Sequence, residues 1–205
     1  MKVRLAQGAS SVVILAHGAG AGSSHPWMVR YAEGLVTRGL HVVTFDFPYA
    51  AARKKVPDPT PKLEAAYRAV VAEARAAREL AECKVFLGGK SMGGRMASQI
   101  VAKGEVCDGL VFFGYPLHPP AKPAQRRDAH LPKITAPMLF VQGERDAFGT
   151  EDEMVPLVAS LGKSATLLVV PWGDHSLAVP KKSGKTQDEV DASVLDAVAA
   201  WVRAA

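Results

Sequence analysis

Residues 88–95 read GGKSMGGR, and two motifs of incompatible chemistry overlap in them. Gly89-Lys90-Ser91 matches the end of a phosphate-binding loop, G-x-x-x-x-G-K-[ST], whose backbone N–H groups wrap a phosphate. Gly89, Ser91 and Gly93 match G-x-S-x-G, in which a serine sits on a sharp turn between a strand and a helix. The phosphate motif requires glycine at position 84, where this chain has Lys84. The residues between, Val85, Phe86 and Leu87, have the character of a strand, so no loop is left to hold a phosphate. The serine motif needs a buried strand before it and a helix after it. Both are expected here, over 85–88 and 92–103, and the stretch reads as the setting of a serine nucleophile.

Outward from this stretch the chain alternates between two kinds of segment. Short, nearly all-apolar runs at 11–16, 41–45, 85–88, 109–113, 138–142 and 166–170 predict strands buried on both faces of a parallel sheet. Helical patterns cover 27–38, 61–80, 92–103, 151–161 and 188–203. In the second of these, Leu63, Tyr67, Val70, Ala74 and Ala77 form one apolar stripe, with Thr60 as the expected N-cap and Pro61 in the first turn. Strands alternating with helices imply right-handed crossovers. The fold class is therefore α/β: a doubly wound, mostly parallel sheet of about six to seven strands with helices on both faces, in one domain spanning 1–205. The proline-rich stretch 115–133, YPLHPPAKPAQRRDAHLPK, is expected to be a surface loop.

In such a sheet the ligand site lies beyond the carboxyl ends of the strands, so functional residues should follow strands directly. A serine hydroxyl is a weak nucleophile and needs a general base, itself oriented by a carboxylate. The strand at 138–142 is followed by GERDAFG and the strand at 166–170 by PWGDHSL. His175 is the expected base and Asp146 the expected orienting acid. Asp146 is preferred to Glu144 for its shorter reach, and to Asp174 because chain neighbours in an extended loop point apart. The first strand runs into HGAGAGSS, residues 17–24, which lacks the third glycine of a dinucleotide fingerprint at Ser23. It reads better as an oxyanion loop, with the Ala19 amide and the Met92 amide as the two donors.

Together, HGAG, GGKSMGG, GERDAFG and WGDHSL resemble the α/β-hydrolase superfamily, in particular its small lidless members similar to dienelactone hydrolases and to bacterial hydrolases of unassigned substrate. FDFPYAAARKKVPD, residues 45–58, also resembles the hydrolase-like domain of an animal histone-acetyltransferase complex subunit. The resemblance covers almost the whole chain. It implies a catalytic triad of Ser91, Asp146 and His175 acting on ester, thioester or amide bonds through an acyl-enzyme. Dienelactone hydrolases proper use cysteine where this chain has Ser91, and lipases carry a helical lid for which this chain has no insertion.

The leading expectation is a serine hydrolase of the carboxylesterase or thioesterase kind. The alternatives are a serine amidase or peptidase, and a binding or scaffold module on a hydrolase fold. Trp27, Phe47, Tyr49, Tyr115, Phe148 and Trp172 stand near strand ends and are candidates for the substrate pocket, with ordinary core packing as the other reading. Lys90 and Arg95 flank the serine, and either an anionic substrate or solvent and a carboxylate partner would account for them.

Composition narrows the rest. Of 205 residues, 48% are hydrophobic and 22% charged, which fits a globular chain with a full core. The net charge of +5 is spread over clusters such as Arg53-Lys54-Lys55, Arg126-Arg127 and Lys181-Lys182 without interleaved aromatics, and these read as solvated surface, not as a nucleic-acid patch. No apolar run is long enough for a signal peptide or a membrane span, so a cytoplasmic location is expected, with no membrane partner. Cys83 and Cys107 have neither metal-ligand nor C-x-x-C spacing and are expected as free thiols. The expected partner is a small ester-like molecule, taken by a monomer or homodimer that uses no cofactor and no metal.

Overall fold

The structure, a computed structural model, describes residues 1–205. Seven strands form one sheet: β1 (Lys2–Arg4), β2 (Ser11–Ala16), β3 (His41–Phe45), β4 (Lys84–Lys90), β5 (Gly109–Phe113), β6 (Met138–Gly143) and β7 (Ala165–Val170). Six α-helices accompany them: α1 (Pro26–Val36), the single turn α2 (Pro48–Ala51), α3 (Thr60–Ala76), α4 (Met92–Ala102), α5 (Glu151–Leu161) and α6 (Gln187–Ala204). The strand order is β1-β3-β2-β4-β5-β6-β7, and every pairing except β1 with β3 is parallel. This is the doubly wound α/β sheet expected.

Side chains alternate along each inner strand, and the alternation divides the core into two layers. Val12, Ile14, Leu87, Phe112 and Phe140 face α3, α4 and α5. Val13, Leu15, Phe86, Val111 and Val141 face α1 and α6. Two helices start on capping boxes, Thr150 with Glu153 and Thr186 with Glu189, each pair satisfying first-turn N–H groups reciprocally.

Several boundaries differ from the expectation. β1 has no apolar run to announce it; it is an edge strand fixed by pairing Val3 with Val43 and by a 2.9 Å hydrogen bond from Arg4 to the Thr44 hydroxyl. β7, at the other edge, is only partly buried, so it is not covered on both faces as its apolar run implied. Thr60 is the first residue of α3 and not its N-cap, which is Pro59. α3 stops at Ala76, and residues 78–80 form a separate 3-10 turn. The loop 115–133 is a surface loop only in its middle: Tyr115, Leu117 and His118 are buried, as is Leu131. Tyr115 donates to Arg127 O at 2.9 Å, and Arg127 N donates to Leu117 O at 2.8 Å, so the prolines project a loop whose two ends are pinned into the core. No helix is long and apolar enough to cross a membrane.

Candidate active site

The chain leaves β2 toward β3 on one side and returns to β4 on the other, which opens a crevice beyond the carboxyl ends of β2 and β4. Ser91 stands there, at the junction of β4 and α4, with φ 50° and ψ −114°. For a residue with a side chain this is a strained conformation, costing about 1–3 kcal/mol, and it holds the hydroxyl clear of both elements. The turn is tight because α4 starts against the end of β2: a Cβ on Gly93 would stand 2.3 Å from Ala16 O. Glycine is therefore required at that position.

His175 Nε2 lies 2.9 Å from Ser91 Oγ, and His175 Nδ1 lies 2.9 and 2.8 Å from the two carboxylate oxygens of Asp146. The residues read from three separate stretches of sequence thus form one hydrogen-bonded chain. Asp146 is fully buried, whereas His175 keeps 23% of its side chain exposed, so the chain runs from interior to crevice. Besides His175, Asp146 accepts from Phe148 N at 2.8 Å and from Gln142 Nε2 at 2.8 Å. Gln142 also donates to Gly149 O at 2.8 Å and accepts from Tyr115 N at 2.8 Å, which ties the acid loop to the end of β5. This buried glutamine was missed in the sequence, although a lone amide closing the apolar run MLFV was its signal.

The histidine loop is held from several sides. Lys90 Nζ donates to His175 O, Trp27 Nε1 donates to Ser176 O at 3.1 Å, and Phe148 stacks on the imidazole with ring centroids 4.1 Å apart. Asp174 does not orient His175; its Oδ1 accepts from Ser176 N at 2.7 Å and Ala178 N at 2.9 Å and shapes the turn. Gly114, at φ 62°, lets this loop approach β5, since a Cβ there would stand 2.7 Å from His175 O.

A cavity of about 470 Å³ opens in front of Ser91. Ala19 and Met92 line it beside the serine. Met92 opens α4, so its N–H has no intrahelical acceptor, and no backbone acceptor engages the Ala19 N–H. The loop that carries Ala19 is anchored by buried His17, whose Nδ1 bonds Gly18 O at 2.8 Å while Nε2 accepts from Phe47 N at 3.1 Å. Burial lowers the pKa of His17 below the usual 6.5, consistent with this neutral, accepting role.

Among the aromatic candidates, Trp27 and Phe148 line the cavity, as does Lys90. Phe47, Tyr49 and Tyr115 do not; they are buried in the core, the first two edge-on to His17. Trp172 is 39% exposed, lies against Arg145 and Lys182, and borders a separate groove next to α6. Arg127, read in the sequence as solvated surface, lines the cavity together with Arg95. Burial lowers the Lys90 ammonium to about 8 and pushes the Cys107 thiol up to about 12. Cys83 and Cys107 are both free.

An alpha/beta hydrolase domain model matches residues 9–203. The chain belongs to the α/β hydrolase family. Among solved structures, this α/β hydrolase is similar to dienelactone hydrolase from Anabaena variabilis, with 21% identity, a TM-score of 0.74 and coverage of 97% of this chain and 88% of that one. A lidless α/β serine hydrolase from Xanthomonas campestris aligns at 18% identity and TM-score 0.73, over 97% of this chain and 87% of that one. Est1E from Butyrivibrio proteoclasticus, solved with ferulic acid bound, aligns at 15% identity and TM-score 0.76, over 100% of this chain and 95% of that one. At such identities the likeness concerns the fold. What distinguishes this α/β hydrolase has to be read from its own crevice.

Proposed function

We propose that this α/β hydrolase is a serine hydrolase that cleaves small esters or thioesters through an acyl-enzyme. The observation that carries the reading is the 2.9 Å contact between His175 Nε2 and Ser91 Oγ, with Asp146 on the opposite ring nitrogen. In that arrangement Ser91 Oγ attacks the carbonyl carbon while its proton passes to His175 Nε2. Asp146 accepts from Nδ1–H and steadies the imidazolium that forms. The tetrahedral oxyanion takes hydrogen bonds from the Met92 and Ala19 N–H groups, both free to donate into the cavity. The carbon–oxygen or carbon–sulfur bond then breaks, and the leaving alcohol or thiol receives the proton from His175. Water, deprotonated by the same nitrogen, attacks the acyl-Ser91 ester and releases the acid. No step calls for a metal or an organic cofactor.

The test is labelling by a fluorophosphonate probe, followed by hydrolysis of short and long 4-nitrophenyl esters. Wild type should be labelled and Ser91→Ala should not; an unlabelled wild type would refute the enzyme reading in favour of a binding module. Faster turnover of matched anilides than of esters would point instead to an amidase.

A further inference from the structure

The geometry points to Arg95 and Arg127 as a subsite for an anionic group, a carboxylate or phosphate, carried by the substrate a few atoms from the bond that Ser91 attacks. This rests on the reading of Ser91 as nucleophile and adds the class of molecule it takes.

Three observations carry it. Arg95 lies four residues beyond Ser91, one turn along α4, and its N–H donates to Ser91 O at 3.1 Å; positions so spaced share a helix face, and both residues line the same cavity. The Nε of Arg95 is buried without any hydrogen-bond partner in the protein. A buried guanidinium N–H left unpaired is unfavourable, and a ligand oxyanion that pairs with this guanidinium would offset the loss. Arg127 reaches the same cavity out of the loop after β5, on a backbone fixed by Tyr115 and Leu117. Its chain neighbour Arg126 is paired with Asp128, but neither Arg95 nor Arg127 forms an ion pair.

The two guanidiniums feel each other: burial first, and then the charge of Arg127, holds Arg95 below its ordinary pKa. Asp58 is the sole carboxylate on the cavity wall and already has its cation, Lys62, at 2.8 Å. Glu64, whose charge also acts on Arg95, is itself paired with Lys103 at 2.6 Å. Two like charges lining one cavity without an ion-pair partner of their own are suited to an anion, and a planar guanidinium fork binds carboxylate and phosphate oxygens in pairs. Lys90 is not part of this subsite, because its ammonium is committed to His175 O.

Two measurements test the subsite. The first is the ratio of kcat/KM for 4-nitrophenyl hydrogen adipate over 4-nitrophenyl hexanoate, which differ by a terminal carboxylate. Wild type should favour the anionic ester by about tenfold or more, as expected when a polar site loses its matching group. The ratio should fall toward one in Arg127→Met and in Arg95→Met, so that a folding failure of one variant leaves the other to decide. The second is calorimetric binding of monomethyl adipate and of butyl phosphate to Ser91→Ala at low salt, which needs no turnover. One of the two anions should bind, the tighter one naming carboxylate or phosphate, and the double variant Ser91→Ala/Arg127→Met should bind it at least about tenfold more weakly. Ester turnover with a ratio near one in wild type, or anion binding unchanged by Arg127→Met, overturns the subsite and leaves the hydrolase intact. Anion binding that depends on Arg127, with no labelling of Ser91 by fluorophosphonate, upholds the subsite and refutes the hydrolase.

Discussion

Lys90 is the residue that first made the central stretch look like a nucleotide site, and the fold gives it other work. Its ammonium reaches across the end of the sheet to His175 O and lies 5.9 Å from the centre of the Trp27 ring, so it holds the histidine loop against α1. The position has an electrostatic cost. Burial lowers its pKa from 10.5 to about 8, partly offset by the charges of Asp146 and Asp174. Below about pH 8 the native protein carries a positive charge beside Ser91 that favours a developing oxyanion; above it the charge is lost. We expect kcat/KM to fall as pH rises through about 8 in wild type, and Lys90→Met to lack that fall. Stability moves the other way. Between about pH 8 and 10.5 the unfolded chain keeps on Lys90 a proton that the native state has released, so the contribution of this group to the unfolding free energy rises across the window, by on the order of 3 kcal/mol. Cys107, held at about 12 in the fold, and the buried tyrosines pull both proteins the other way above about pH 9, so the informative quantity is the denaturant midpoint of wild type relative to Lys90→Met: it should climb between pH 7.5 and 10, and an unchanged difference would mean the ammonium is solvated.

At the scale of elements, the strand that leads into Ser91 is held from below by α3. The Tyr67 hydroxyl, fully buried, lies 2.7 Å from Ile14 O and 2.8 Å from Gly88 O, and accepts from Gly88 N at 2.9 Å. It joins β2 to β4 just where β4 turns into the Ser91 bend. Tyr67→Phe leaves the Gly88 N–H without that acceptor and should cost about 1–3 kcal/mol by urea denaturation, with kcat lowered as the bend loosens. The helical stripe that contains Tyr67 was legible from its spacing, but nothing in that spacing says that its hydroxyl serves two strands. The same contrast runs through the molecule. Inner strands such as β2 and β5 are apolar throughout and could be read directly. β1, three residues with two cations among them, could not, because its place depends on the partner β3 and not on its own pattern. Ser91, Asp146 and His175 could be listed because each follows a strand and carries a chemistry the others complete, whereas the roles of Gln142 and His17 rest on hydrogen bonds to Tyr115 and to Phe47, far along the chain. Phe47, Tyr49 and Tyr115 failed as pocket candidates for the converse reason: an aromatic near a strand end can turn into the core as readily as toward the crevice.

Across the whole molecule, the loops after β2, β4, β5, β6 and β7 converge on one edge of the sheet, and the groups that hold this edge together include histidines kept neutral by burial. His17 anchors the loop after β2, while His130, 2.7 Å from the Ser98 hydroxyl, fastens the far end of the 115–133 loop to α4. Burial, and then the charge of Arg95, lowers His130 to about 4; burial lowers His17. Both stand below the 6.5 of a free imidazole, so the unfolded chain binds protons that the native state refuses as pH drops through 6.5. The stability these groups contribute is complete above about 6.5 and is lost as pH falls toward 4. Carboxylates blur the lower part of that range, so the informative window is pH 6.5 to 5, where they are still mostly ionised. Wild type should lose on the order of 1–2 kcal/mol of unfolding free energy across it, and His130→Asn, which keeps a partner for Ser98 but does not titrate, should lose visibly less. Neutral His17 also bears on function, because its Nε2 is the acceptor for Phe47 N and so fixes the loop that carries Ala19. If midpoints are level from pH 6.5 to 5 in both proteins, these histidines are hydrated in the fold and the active-site edge is not held by neutral imidazoles.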